Sequence, residues 1–187
     1  MVNADQDPIE LVPADHETWR ERFIAERDRV RDALSRAGLE DDCERIAHVG
    51  STAVPELAAK DSVDLDIVVA DDAVGEVSQV LADELGGTRV ENSGEWHPVF
   101  REHDGQRFND HVFAASSDGW KVSVITRDVL ATRPDRREEY ERLKREPAAE
   151  HDDLVAYSEG KSAFVERLLE VARADDVDTS CPVPPRG

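Results

Sequence analysis

Two aspartates one residue apart, Asp64 and Asp66, lie inside an apolar run. Side chains at i and i+2 of an extended strand leave the same face. The two carboxylates therefore project together, while Val63, Leu65 and Ile67 point into the core. Carboxylates held this close repel strongly unless a cation joins them. Oxygen ligands of this kind suit Mg²⁺ or Mn²⁺, hard cations that keep several waters and also bind substrate phosphates. The competing reading is a plain strand face in a very acidic chain. Upstream, Gly50-Ser51 is separated from Asp64 by twelve residues, Thr52 to Val63. Gly50 permits positive φ or close backbone approach at a strand-to-loop corner. Ser51 and Thr52 offer hydroxyls and backbone N–H groups to a phosphate. An ordinary turn is the alternative.

These residues need elements to hold them. Residues 62–70 alternate like a strand, and residues 45–49 read as another that ends at Gly50. Residues 52–60 are rich in small residues, interrupted by Pro55, and read as a loop. Trp19, Phe23, Val30 and Leu34 recur at helical spacing, with Asp15 as N-cap and Gly38 as stop. Further helices are expected at 71–85, 128–131, 134–144 and 153–172. Further strands are expected at 88–90, 98–101, 107–114 and 121–125, with a short edge strand at 9–12. The fold class is α/β, a mixed sheet flanked by helices. One domain is expected over residues 1–173, followed by a disordered acidic and Pro-rich tail at 174–187.

The chain has 187 residues and a net charge of −20, from 43 acidic and 23 basic side chains. That balance argues against duplex nucleic acid as a partner, short of a local basic cluster. No apolar run approaches the roughly 20 residues that cross a bilayer, and no secretory signal opens the chain, so a cytoplasmic protein is expected. Cys43 and Cys181 fit no zinc motif and no disulfide framework. Lysine occurs only at Lys60, Lys121, Lys144 and Lys161. Acid excess with few lysines points to a halophilic source, an archaeon in the fullest form of that expectation.

An apolar residue, Gly-Ser, a spacer of about ten residues and D-x-D within a strand resembles the signature of the DNA polymerase beta-like nucleotidyltransferase superfamily. The resemblance implies that Asp64 and Asp66 hold metal ions and that the Gly50-Ser51 loop contacts a nucleotide triphosphate. A closer resemblance runs through most of the chain. Ile46-Ala47-His48-Val49-Gly50-Ser51-Thr52-Ala53-Val54-Pro55 and Leu57-Ala58-Ala59-Lys60 look like the GrpB family's EHIGSTSVPGLAAKP segment. TRDVLATRPDRREEYERLKRE, residues 126–146, resembles that family's FRDYLRAHP…YAALK segment. Tyr157, Lys161 and Phe164 follow its Y…K..F ending. This family carries the nucleotidyltransferase fold, and fusion of some members to dephospho-CoA kinase hints at nucleotide or coenzyme A metabolism. Glu56 replaces the family's glycine, Asp61 its proline, and Asp66 an apolar residue of many relatives.

Active nucleotidyltransferases add a third carboxylate from a neighbouring strand. Here His111 stands at that place, as a metal ligand, a base or a hydrogen-bonded strand histidine. Asp110 lies on the opposite face unless a bulge turns it. His48 could face the site or the core. Lys60 lies near the phosphate loop. Arg127, Lys144 and Lys161 occupy family-matching positions where cations would neutralise a triphosphate. Trp96 reads as packing before base-stacking. The expected activity is metal-dependent nucleotidyl transfer from an NTP to an unknown acceptor. The rival is a silent module that binds a nucleotide or a coenzyme A precursor. A third reading is an interaction partner of a kinase, for which the sequence offers no direct feature.

Overall fold

The computed structural model describes residues 11–145, 154–174 and 177–185, with side chains from residue 162 onward in the second stretch. Helix α1 spans His16–Ala37; the Thr18 N–H donates to Asp15 Oδ1 at 3.3 Å, and Gly38 ends the helix at φ 74°. Strand β1 (Cys43–Val49) leads through a 3₁₀ turn at Ser51–Ala53 to β2 (Ser62–Val69). Then follow α2 (Val74–Leu85), β3 (Thr88–Arg89), β4 (Trp96–His103), β5 (Gln106–Ala114), α3 (Gly119–Thr132), α4 (Pro134–Arg145) and α5 (Leu154–Ala174).

The five strands form one sheet in the order β1-β2-β5-β4-β3. Only the β2–β5 pair is parallel; β1–β2, β4–β5 and β3–β4 are antiparallel. Val63, Leu65, Ile67 and Val69 of β2 join Phe108 and Val112 of β5 beneath α1 and α2. On the other face, Ala47 and Val49 of β1 pack with Val124, Ile125 and Leu130 of α3 and with Phe164 and Leu168 of α5. Both faces of β2 are thus covered, and its only polar positions between Val63 and Val69 are Asp64 and Asp66.

Three expectations change. Residues 121–125 are not a strand; they belong to α3, which also absorbs the short piece at 128–131. Val124, Ile125, Val129 and Leu130 are buried, a helical stripe that resembles a strand when only its first half is read. The tail is not disordered over residues 177–185: Cys181 is buried, and the Ser180 N–H donates to Asp128 Oδ2 at 2.7 Å. Of the edge strand expected at 9–12, Val12 makes a single bridge to Ala59; residues 9 and 10 lie outside the described residues.

Candidate functional site

Strand β1 ends at Gly50, which has φ 71° and ψ −171°. A Cβ placed there would lie 2.1 Å from Asp64 Oδ2. Glycine is therefore required twice, by the backbone angle and by the carboxylate that fills the space of its side chain. The Gly50–Asp64 spacing is thus a steric contact, because Val49 pairs with Asp64 across β1 and β2. Asp64 Oδ1 accepts a 2.7 Å hydrogen bond from Asn109 Nδ2.

The parallel register explains which residues share that face. Asp64 pairs with Asn109 and Asp66 with His111, without interruption from Ser62↔Arg107 to Val69↔Ala114. No bulge turns Asp110 toward the site; it lies on the α1 side and binds Arg101 Nε at 2.6 Å. An amide, Asn109, therefore stands beside Asp64, and His111, at the place where a third carboxylate was sought, stands beside Asp66. His111 is on the site face, but its Nδ1 accepts from Trp96 Nε1 at 3.3 Å. Trp96 also stacks on Phe113 at 5.6 Å between ring centroids, the packing role read from sequence.

Asp66 is 0% exposed, and among the described residues neither carboxylate oxygen has a geometrically well-formed hydrogen bond. Burial holds its pKa well above the ordinary value; the Asp64 charge adds to this, while Ser123 and Arg127 oppose it. Burial therefore favours the neutral form of this carboxyl. Helix α3, which carries Ser123 and Arg127, is what covers it.

Around Asp64 lies a cavity of about 300 Å³ lined by residues that include Ser51, Thr52, Lys60, Asn109, Tyr140 and Lys144. Lys144 comes from α4 and is only 6% exposed; its Nζ donates to Ser51 Oγ at 3.3 Å and to the Ala58 carbonyl at 2.5 Å. The ammonium also sits 4.9 Å from the Tyr140 ring centroid. Lys60 is exposed at the rim. Ser51, Thr52, Lys60, Asp64 and Lys144 are thus brought together, with Gly50 forming the adjoining corner.

Asp66, His111 and Arg127 do not line this cavity. Arg127 is a clamp: it donates to the His48 carbonyl at 2.9 Å, to Ser180 Oγ at 3.1 Å and to Asp128. Lys161 lies in α5 with its side chain outside the described residues. His48 turns to the α1 side, stacked on Phe23 at 4.8 Å, with Nε2 3.1 Å from Thr52 Oγ1. Burial is the main cause lowering its pKa from 6.5 to about 3. Sequence reasoning missed Asn109 and Tyr140, although strand parity counted from His111 places Asn109 on the correct face.

Among the described residues, no group of three or more His, Cys, Asp or Glu could hold a metal ion. Asp64 faces the cavity, whereas Asp66 is fully buried outside its lining. The residues as arranged do not fit a cation shared by both aspartates and open to a ligand.

A five-stranded mixed sheet with helices on both faces and a Gly-Ser corner against a strand aspartate defines an α/β protein. The chain belongs to the GrpB family, whose profile, described as GrpB protein, matches residues 8–171. A UPF0157 protein of Deinococcus radiodurans is 34% identical over 166 residues, covering 88% of this chain and 82% of the relative. The glutamate-rich protein GrpB of Alkalihalophilus pseudofirmus is 25% identical over 184 residues, covering 90% of this chain and 98% of that one. Both organisms are bacteria, so these relatives give no support to an archaeal origin. The crystal structure of conserved protein GrpB from Enterococcus faecalis superposes with a TM-score of 0.68 at 21% identity, over 85% of this chain and 94% of that one. A cytoplasmic RNA terminal U-transferase is a remoter likeness, with a TM-score of 0.49 and 17% identity over 71% and 38% of the two chains.

Proposed function

We propose that this GrpB protein binds a nucleotide or nucleotide-containing small molecule in the Gly50–Asp64 cavity, as a binding module. One observation carries the reading: the buried Lys144 ammonium stands on Ser51 Oγ, at the mouth of a glycine corner, with Lys60 at the rim. Two of the four lysines in the chain therefore serve one cavity. Phosphate oxygens accept from Lys144, Lys60 and the Ser51 and Thr52 hydroxyls. Asp64 accepts from an N–H or O–H of the ligand. The test is a thermal-shift panel of nucleotides and coenzyme A precursors at molar KCl, with and without Mg²⁺ or Mn²⁺. If no compound shifts the wild type more than an Asp64→Asn variant, the reading fails.

A second reading is favoured by the shared face of Asp64 and Asp66. It is metal-dependent nucleotidyl transfer, with Mg²⁺ or Mn²⁺ on both aspartates supplying charge stabilisation at the phosphates. It requires Asp66 to ionise and open to the cavity. Pyrophosphate release from labelled NTP selects this reading; binding without release selects the first.

The acid excess further supports adaptation to salt, because molar salt screens like charges within about 3 Å. The melting temperature is expected to rise from low to molar KCl. A flat profile contradicts that adaptation.

A further inference from the structure

We infer that the cavity takes the phosphates of its ligand without a divalent cation, with Lys144 and Lys60 supplying the positive charge and Asn109 holding Asp64. This inference rests on the phosphate-binding reading above and concerns how that binding is achieved.

The carboxylate side of the cavity is already engaged. Asp64 Oδ1 accepts from Asn109 Nδ2 at 2.7 Å, and Oδ2 fills the space beside Gly50. Asn109 is an uncharged amide, so it brings no anionic oxygen to a cation. Asp66, next along the face, is fully buried and outside the cavity lining. One carboxylate is therefore offered to the cavity by the two β-strands. A Mg²⁺ site needs near-octahedral oxygen coordination, and the geometry supplies little of it.

The cationic side is built in. Lys144 is fixed by α4 packing, by Ser51 Oγ and by the Ala58 carbonyl. A desolvated ammonium attracts a phosphate oxygen far more strongly than a solvated one does. Tyr140, one turn earlier on α4, lines the same cavity and puts its ring beside that ammonium. Lys60 adds a second charge from the loop that follows Ala58 and Ala59. Among the described residues that line it, two lysines face one carboxylate, a locally cationic lining in a strongly acidic chain. No metal is needed to reverse its sign.

The test is isothermal titration of inorganic tripolyphosphate and of ATP, first in EDTA and then in Mg²⁺, on the wild type and on Asn109→Asp. The wild type is expected to bind in EDTA and to bind equally or more weakly in Mg²⁺, because the cation competes for the phosphates. Asn109→Asp is expected to lose about tenfold in EDTA, since it adds a charge beside Asp64, and to recover when Mg²⁺ or Mn²⁺ is added. Wild-type binding that appears only with Mg²⁺ overturns metal independence while leaving the phosphate site standing. No binding under either condition overturns the phosphate site itself, and this inference with it. Melting curves of both proteins separate a binding loss from a folding loss.

Discussion

On the face of the sheet covered by α1 and α2, Glu26 and Asp110 are both fully buried, and Arg101 meets each of them. Arg29 adds a second contact to Glu26, and both guanidinium groups lie over the Phe108 ring. On the opposite face, Asp64 Oδ1 accepts from the Asn109 amide, and burial holds the Asp66 carboxyl well above its ordinary pKa. The same sheet thus handles buried acids in two ways. Where acids serve folding, arginine forks neutralise them. On the cavity side, Asp64 lines the cavity while Asp66 is fully buried outside its lining.

The strongest way to break this contrast is Arg101→Met. Removing one partner of a buried ion pair leaves uncompensated charge and costs about 3–5 kcal/mol. Urea unfolding should show that loss; a change below about 1 kcal/mol would mean that the network is not an ionic anchor.

A smaller effect is expected in the loop between the site residues. Glu56 has φ 62°, in the left-handed region that favours glycine. A non-glycine residue there is strained by about 1–2 kcal/mol. Glu56 also pairs with Arg137 at 2.6 Å, but its side chain is 78% exposed, so that bond returns little. Glu56→Gly should therefore stabilise the fold by about 1 kcal/mol, read as a shifted urea midpoint. An unchanged or lowered midpoint would show that the ion pair outweighs the backbone strain.

The smallest expected change in stability is Asp66→Asn, because a neutral amide replaces a carboxyl whose neutral form burial already favours. Its signature is in the pH dependence. The folded pKa of Asp66 is raised, so the folded state keeps a proton that the unfolded state releases from about pH 4 upward. Its contribution is present below that pH and is lost as pH rises. Asp66→Asn should remove this decline. His48 contributes in the opposite sense: its folded pKa is about 3 against an ordinary 6.5, so stability falls as acid is added between those values. His48→Gln should flatten that acid limb alone. Stability profiles that superpose on the wild type in both variants would contradict the assigned burial states.

Much of the site face was legible in the sequence. Strand alternation put Asp64 and Asp66 together, and the Gly50–Asp64 spacing pointed to a phosphate corner. Lys144 and Lys161 stood out because lysine is scarce, and Lys60 because it lies close to the Gly50-Ser51 loop. What could not be read was the cover. With residues 121–125 taken as a strand, nothing in the sequence placed α3 over Asp66, and its burial stayed hidden. Arg127 looked like a phosphate cation because its position matched the family pattern; only the packed tail reveals it as a clamp on β1. Asp61 accepts from Trp19 Nε1 at 2.9 Å and from Arg22 Nη1 at 2.8 Å. That long-range contact has no local sequence signal.

The central claim, that the Gly50–Asp64 cavity binds phosphates, is met most directly by titrating ATP into the wild type and into Lys60→Glu. Lys60 is exposed, so the fold should not change. The account predicts saturable binding to the wild type and a loss of at least about tenfold in affinity on charge reversal. Equal affinity in the two proteins, or no binding to the wild type, would contradict it.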